Sequence, residues 1–480
     1  MAVQPLSVIA DLPLIIQGGM GVAVSDWRLA RAVSQLGQLG VVSGTALDIV
    51  HARRLGDGDV GGDLRLAYAQ FPVPKMADRV LNRWFVPDGR AAGERHRRVP
   101  RTRVESSKAL RELTLVANFA EVWLAKQGHR GPIGINYLEK VQLPTPHAIY
   151  GAMLANVDYV LMGAGIPAQV PRLLDDLALG MSCAYRITVV GADPSDNFAV
   201  RFDPAELFGM PAPKLTRPRF IAIISSNTLA SFLMKDPATT PDGFVVEGPN
   251  AGGHNAPPRG PLQRDSSGQP VYGSRDQVDL GKIAATGIPF WLAGGYAGPD
   301  RFQDALRSGA TGVQVGTAFA FSDESAIRPD LKHDIISRSL AGDIEVYTDP
   351  AASPSGFPFK VVSLPGTLSE DEVYNNRTRL CDLGFLRTLY KRPDGTVGYR
   401  CPSEPVADYL AKGGKLEETV GRKCLCNALM ATVGLAQQRS TGPEAPLVTA
   451  GDELAVVVRS LAGDSGRWTA ADVISHLLDE

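Results

Sequence analysis

The stretch Val245–Gly260, VVEGPNAGGHNAPPRG, holds the residue of this chain best suited to chemistry. A β-branched run delivers Glu247, a glycine-rich turn follows, and His254 stands at its end with Pro257 and Pro258 stiffening the chain beyond. Imidazole titrates near neutrality, so it can give or take a proton in a transition state. Gly252 and Gly253 would let the backbone press against a flat ligand while the imidazole is held over it. His51, His96, His129, His147, His333 and His476 have no comparable setting and are read as structural, bonded to nearby backbone. Two further turns, Ala293-Gly294-Gly295 and Val315-Gly316-Thr317, place backbone N–H groups where no Cβ would obstruct a ligand. Such turns suit a phosphate.

Two other groups of residues have weaker chemistry. Cys381, Cys401, Cys424 and Cys426 could together bind Zn²⁺ or an iron–sulfur cluster, as four thiolates do elsewhere. Yet 19 residues separate the first two, 22 separate the second and third, and no C-x₂-C knuckle occurs. Small buried apolar cysteines are the better expectation, with no metal. The basic run Arg95, His96, Arg97, Arg98, Arg101 and Arg103 could meet a phosphopantetheine, a nucleotide or an acidic carrier protein. Without interleaved aromatics it makes no nucleic-acid platform, and a solvated face is expected.

The elements that must position these residues are eight short apolar runs: Leu14–Gln17, Gly40–Gly44, Pro132–Tyr137, Asp158–Met162, Arg219–Ser226, Gly243–Glu247, Pro289–Leu292 and Gly312–Val315. Each ends in glycine or a small polar residue and gives way to a helical pattern. Apolar strands alternating with helices imply a parallel sheet buried on both faces, and eight of them close a (β/α)₈ barrel. An open doubly wound sheet would concentrate its glycines after the first strand. Here they follow nearly every strand, as around a barrel mouth. The loops after strands seven and eight are where such barrels commonly bind phosphate.

Uneven spacing marks insertions. The barrel is expected over residues 1–322, with insertions at about 51–131, 184–218 and 255–279. The first should contain an amphipathic helix over Ser106–Gln127, and the second a hairpin pairing Arg186–Val190 with Phe198–Phe202. Residues 323–480 read as a mainly helical C-terminal region that caps the substrate, with helices over Pro329–Leu340, Glu370–Leu389, Cys424–Gln438 and Ala470–Leu478.

Composition excludes whole classes. The 480 residues are 44% hydrophobic and 21% charged, which fits a chain that folds around a core. A net charge of −2 gives no general attraction for nucleic acid or anionic membrane. The opening MAVQPLSVIADLPL lacks the basic and apolar regions of a signal peptide, and no apolar run approaches the ~18–20 residues of a membrane helix. Five cysteines make no disulfide framework, so a cytoplasmic enzyme is expected, with homo-oligomerisation left open.

The order Ile16-Gln17-Gly18-Gly19-Met20, Gly134-Ile135-Asn136, Ala251-Gly252-Gly253-His254, Ala293-Gly294-Gly295 and Gly312-Val313-Gln314-Val315-Gly316-Thr317 resembles the nitronate monooxygenase (2-nitropropane dioxygenase) family over about Leu14–Phe321. The resemblance implies an FMN-dependent (β/α)₈ barrel, similar also to FMN-containing trans-acting enoyl reductases. By it, Gly18, Gly19, Met20 and Asn136 would line the flavin ring and ribityl chain. Gly294, Gly295, Gly316 and Thr317 would hold its phosphate, and His254 would stand beside the reactive face. The implied activity is oxidative denitrification of nitronates or nitroalkanes with O₂. The alternatives are an NAD(P)H-dependent enoyl-thioester reductase of fatty-acid or polyketide biosynthesis and a non-catalytic FMN-binding or carrier-docking module. The insertions and the long C-terminal region exceed what a minimal family member needs, so they are expected to reshape the substrate pocket.

Overall fold

The computed structural model describes residues 12–209 and 211–479. The N-terminal stretch read for a signal peptide therefore lies, through Asp11, outside the described residues. The eight expected runs form eight strands: β1 (Ile15–Gln17), β2 (Gly40–Ser43), β3 (Ile133–Leu138), β4 (Tyr159–Gly163), β5 (Arg219–Ile224), β6 (Gly243–Glu247), β7 (Phe290–Ala293) and β8 (Gly312–Val315). From β2 to β8 each pairs in parallel with the next strand in sequence, and β1 pairs with β8. The ring closes where Gln17 N donates to Leu39 O at 3.0 Å and Leu39 N donates to Ile15 O at 3.1 Å.

Side chains alternate across a strand, so each strand sends every second residue inward. Ile16, Val41, Leu161, Ile221, Val245 and Trp291 pack together as a separate inner core, distinct from the larger one between strands and helices. Trp291 is the bulkiest of these fully buried side chains, and its Nε1 donates to Pro13 O at 2.8 Å. Emptying such a position costs about 3–5 kcal/mol. The same alternation places Asn136, Glu247 and Gln314 on inward positions nearer the strand ends, where the inner core gives way to a cavity.

The first insertion folds as helices packed outside the barrel. Before it, between β1 and β2, Asp26 caps α1 (Trp27–Gln35), whose buried Leu29, Ala30 and Val33 face the sheet. Then come α2 (Leu47–Gly56), α3 (Asp63–Tyr68), α4 (Pro74–Trp84) and α5 (Lys108–Ala125). The helix expected over Ser106–Gln127 is α5, capped by the Ser107 hydroxyl. It is not a surface amphipathic helix. Glu112, Thr114, Asn118 and Glu121 are buried along with its apolar residues, because α2–α4 cover one side and α6 (Thr145–Leu154) the other. The hairpin of the second insertion pairs Cys183–Arg186 with Ala199–Phe202, a few residues N-terminal to its expected first strand.

Residues 323–479 contain helices at Pro329–Ala341, Asp371–Asn376, Val406–Ala411, Leu425–Thr432, Leu454–Leu461 and Ala470–Leu478. Three antiparallel two-stranded ladders lie among them. The helix expected over Glu370–Leu389 stops at Asn376. Beyond it, Arg379 donates to the carbonyls of Glu404 and Thr419, each at 3.1 Å, and holds the segment extended. Gly384 adopts φ +71°, a left-handed turn that ends any helical run. Here distant carbonyls override local propensity. The region is fastened to the barrel: Trp468 Nε1 donates to Ala318 O at 2.7 Å, and Asp323 N donates to Trp468 O at 2.8 Å. Among the described residues no helix is long and apolar enough to cross a membrane.

Candidate functional site

A cavity of about 250 Å³ opens at the C-terminal ends of the strands. Gly18, Gly19, Met20, Asn136, Gly252, Gly253, His254, Gly294, Gly316 and Thr317 all line it. Gly295 does not.

The first loop is braced by two buried side chains. Gln17 Oε1 accepts from Val41 N at 3.0 Å, and Ser25 Oγ donates to Gly18 O at 2.8 Å while accepting from Met20 N at 2.9 Å. A Cβ on Gly19 would lie 2.4 Å from Asn136 Cβ, so the loop's approach to β3 requires glycine there. Asn136 Nδ2 donates to Gly19 O at 3.2 Å, which leaves its Oδ1 buried and without a partner. Gln314 Oε1, inward from β8, is likewise buried and unpartnered. Unmet acceptors inside a protein are costly, and two on residues that line one cavity suit the N–H and hydroxyl donors of a polar ligand. Gln314 was missed as a site residue, although alternation in Gly312-Val313-Gln314-Val315 would have pointed it inward.

His254 lies across from residues of the C-terminal region. Its Nε2 is 2.7 Å from Ser353 Oγ, which is itself 2.8 Å from Ser355 Oγ, and its ring meets the edge of Phe359 at 4.8 Å. Among the described residues Nδ1 has no hydrogen-bond partner. Burial pushes the imidazole down to about 4, so at neutral pH it is uncharged. Neighbouring Gly253 is pinned by the same region: its N donates to Thr449 Oγ1 at 2.8 Å, and its O accepts from Lys360 N at 2.9 Å. Sequence reasoning did not find Ser353, which lies 99 residues away and has no motif.

Glu247, at the end of β6, lines the cavity, and among the described residues its carboxyl has no hydrogen-bond or ion-pair partner. Burial pushes its carboxyl up to about 8, so it is largely protonated at pH 7. Two titratable groups at one mouth, one neutral base and one neutral acid, are shifted apart by the same desolvation.

At the turns expected to hold phosphate, Gly294 and Gly295 have φ of +90° and +87°. Gly451 N donates to Thr317 Oγ1 at 2.9 Å. Glu453 also lines the cavity; burial raises its carboxyl, opposed in part by the Gly295 N–H, and its Oε2 has no hydrogen-bond partner. The Gly295 amide thus faces a side chain of the chain itself.

Cys426 lines the cavity, and burial drives its thiol well above the usual range. Cys381, Cys401 and Cys424 are free thiols behind it. Among the described residues no group of three or more His, Cys, Asp or Glu side chains could hold a metal ion. In the basic run Arg95, Arg97, Arg98 and Arg103 are exposed and Arg101 is half-buried. His96 is buried, Arg97 Nη1 donates to Arg83 O at 2.7 Å, and Arg101 Nη1 donates to Cys381 O at 3.0 Å. His51 is structural, with Nε2 2.9 Å from Glu121 Oε2 and Nδ1 3.1 Å from Tyr68 Oη.

Residues 130–351 match the family model described as nitronate monooxygenase, a span somewhat under half of the chain. Among curated proteins, (3aS,4S,5R,7aS)-5-hydroxy-7a-methyl-1-oxo-octahydro-1H-indene-4-carboxyl-CoA dehydrogenase of Mycobacterium tuberculosis is 26% identical over 41% of this chain and 56% of its own length. Its namesake from Rhodococcus jostii is 28% identical over 30% of this chain and 35% of its own length. The chain thus spans about half, or less, of the curated relatives it matches. Three solved structures are similar along the chain. The enoyl reductase domain of MlnA from Bacillus amyloliquefaciens has 13% identity and a TM-score of 0.48, covering 97% of this chain and 94% of that one. FabK from Thermotoga maritima has 17% identity and a TM-score of 0.46, covering 98% and 92%. The nitroalkane oxidase of Streptomyces ansochromogenes has 16% identity and a TM-score of 0.42, covering 98% and 95%.

Proposed function

We propose, for a chain that carries a nitronate monooxygenase family domain over residues 130–351, an FMN-dependent oxidoreductase that oxidises nitroalkanes or nitronates with O₂. The unpartnered Asn136 Oδ1 and Gln314 Oε1 fit the donors of a flavin's ring and ribityl chain. Gly18, Gly19 and Met20 would border the ring, Gly252 and Gly253 would approach its plane, and Gly294, Gly316 and Thr317 would face its phosphate. Gly295 joins them only if the Glu453 side chain swings away. FMN, when bound, supplies an electron acceptor that oxygen can regenerate.

The observation that carries this reading is the uncharged His254 at the cavity wall, with Nδ1 free and Nε2 held by Ser353. A neutral imidazole fixed through one nitrogen can accept a proton at the other, as removal of the acidic C–H proton of a neutral nitroalkane requires. An existing nitronate brings no such proton, and His254 would then donate a hydrogen bond to its charge. The apolar walls from Phe359, Phe385, Leu386 and Leu429 keep water from the reacting carbon.

A second reading, an NAD(P)H-dependent enoyl-thioester reductase, is favoured by Glu247. A carboxyl held protonated at the mouth could deliver the proton that completes reduction at the α-carbon. The curated relatives, named for a CoA thioester, lend it support. Anaerobic stopped-flow separates the two. Bleaching of the flavin by a nitronate supports the first. Bleaching by NAD(P)H followed by recovery with an enoyl thioester supports the second and overturns the first.

A further inference from the structure

A second cavity, of about 610 Å³, lies between the start of α5, α6 and the hairpin of the second insertion. It shares no lining residue with the cavity at the strand ends. Arg103, Arg111 and Arg201 line it, from a loop, a helix and a hairpin strand respectively. Guanidinium groups elsewhere in this chain grip carboxylates: Arg79 to Glu112 at 2.6 Å, Arg90 to Asp57 at 2.6 Å, Arg439 to Asp382 at 2.8 Å. Among the described residues these three grip none, nor any carbonyl. The one carboxylate on the wall, Glu105, is also unpaired.

The cavity floor carries a second kind of signal. His147 is only 5% exposed, and its ring meets Phe202 edge-on at 4.7 Å, yet among the described residues neither ring nitrogen has a hydrogen-bond partner. Its ring nitrogens are not among the polar atoms shut away from solvent, so they open on the cavity and are available to what enters it. Burial, reinforced by the Arg111 charge, pushes it down to about 3, so it enters any encounter neutral, with one N–H to donate. The residues before α5, Ser106 and Ser107, also line the cavity. They lead into an 18-residue helix whose N-terminal dipole end favours negative charge. Donors and positive charge therefore converge from four segments, and only Glu105 opposes them.

We propose that this cavity binds a small phosphorylated molecule carrying two or more anionic charges, a diphosphate or a bisphosphorylated nucleoside, gripped by Arg103, Arg111 and Arg201 with His147 donating to it. Planar guanidinium forks match phosphoryl oxygens in pairs, and several around one partly enclosed space select multiple charge over single. The site is separate from the proposed flavin site, and its occupancy can be read without any turnover.

The test is calorimetric titration of the full chain, saturated with FMN, with inorganic pyrophosphate and with adenosine 3′,5′-bisphosphate at low salt. The expected result is saturable binding of one molecule per chain. It should weaken at least tenfold in Arg111→Gln/Arg201→Gln, with thermal unfolding and flavin content unchanged. Tighter binding of the nucleotide than of pyrophosphate would assign part of the cavity to the nucleoside. In the wild-type protein, NMR of the His147 ring should show its pKa rising on addition of either probe, because a bound anion stabilises the imidazolium. No binding at millimolar probe would overturn the proposal, as would equal binding by the double variant or an unmoved His147. Binding seen only before FMN is added would place the anion on the turns near Gly294, and would also overturn it. Recognition of an acidic protein without affinity for either small probe would do the same.

Discussion

The barrel and the C-terminal region meet over one cavity but contribute to it differently. The barrel brings the His254 imidazole, the inward-facing Asn136 and Gln314, and glycines that let backbone come close. Residues from 323 onward bring the groups that tune them: Ser353 holds His254, Thr449 and Lys360 pin Gly253, and Glu453 meets Gly295. Asn136 and Gln314 come from strands of the ring, and His254 from the loop that follows β6. Those of the C-terminal region come from loops at Ser353, Thr449 and Glu453 and from the strand Phe359–Val362 at Lys360, held by individual bonds to the turns at the barrel mouth. The difference teaches that a barrel mouth can carry its reactive group on a loop of one layer and fix that group's orientation from another.

Substitutions in the two regions should therefore differ in size and kind. His254→Ala removes the proposed base itself. Turnover of a neutral nitroalkane should fall ~10²–10⁴-fold with FMN still bound, and turnover of the preformed nitronate should fall less. Full activity with both substrates would move the chemistry elsewhere. Ser353→Ala removes only the group that orients the imidazole, so the loss should be about tenfold, the worth of one hydrogen bond at the upper end of its range. It should appear in kcat more than in KM, and an effect as large as that of His254→Ala would mean that the C-terminal region supplies a reacting group.

The two titrating groups give a signed pH dependence. A base lowered to about 4 is active above that pH, and an acid raised to about 8 is active below it. If both act, kcat/KM should rise through about pH 4 and fall through about pH 8. Glu247→Gln should remove the alkaline limb and leave the acid limb; a wild-type profile flat above pH 8 would exclude Glu247 from the reaction. The smallest expected effect is that of Glu453→Gln. Removing a carboxylate that competes for the Gly295 amide should tighten FMN binding a few-fold. It should also abolish a weakening seen in the wild type as pH rises and Glu453 ionises. Equilibrium dialysis across pH reads both.

Much of the barrel was legible because its signals are local. Each apolar run ending in glycine became a strand in the ring, and alternation within Gly312-Val313-Gln314-Val315 already contained the inward Gln314. The glycines and His254 stood out because few residue types tolerate such turns. The rest depended on contacts that no window of sequence contains. Glu370–Leu389 reads as a helix until Arg379 finds carbonyls some 25 and 40 residues away. His147 reads as one more structural histidine until α6 places it, unpartnered, beside three arginines. Ser353, Glu453 and Lys360 carry no motif. They matter only because the chain returns to the barrel mouth after strand β8.

The central claim is that the cavity at the strand ends holds FMN and that the chain is thereby an oxidoreductase. The most direct test is to purify the protein without added flavin, record its visible spectrum and identify what it releases on denaturation. The account predicts yellow protein, or protein that turns yellow on reconstitution, releasing FMN and not FAD in a ratio approaching one per chain. Colourless protein that cannot be reconstituted with FMN would contradict it.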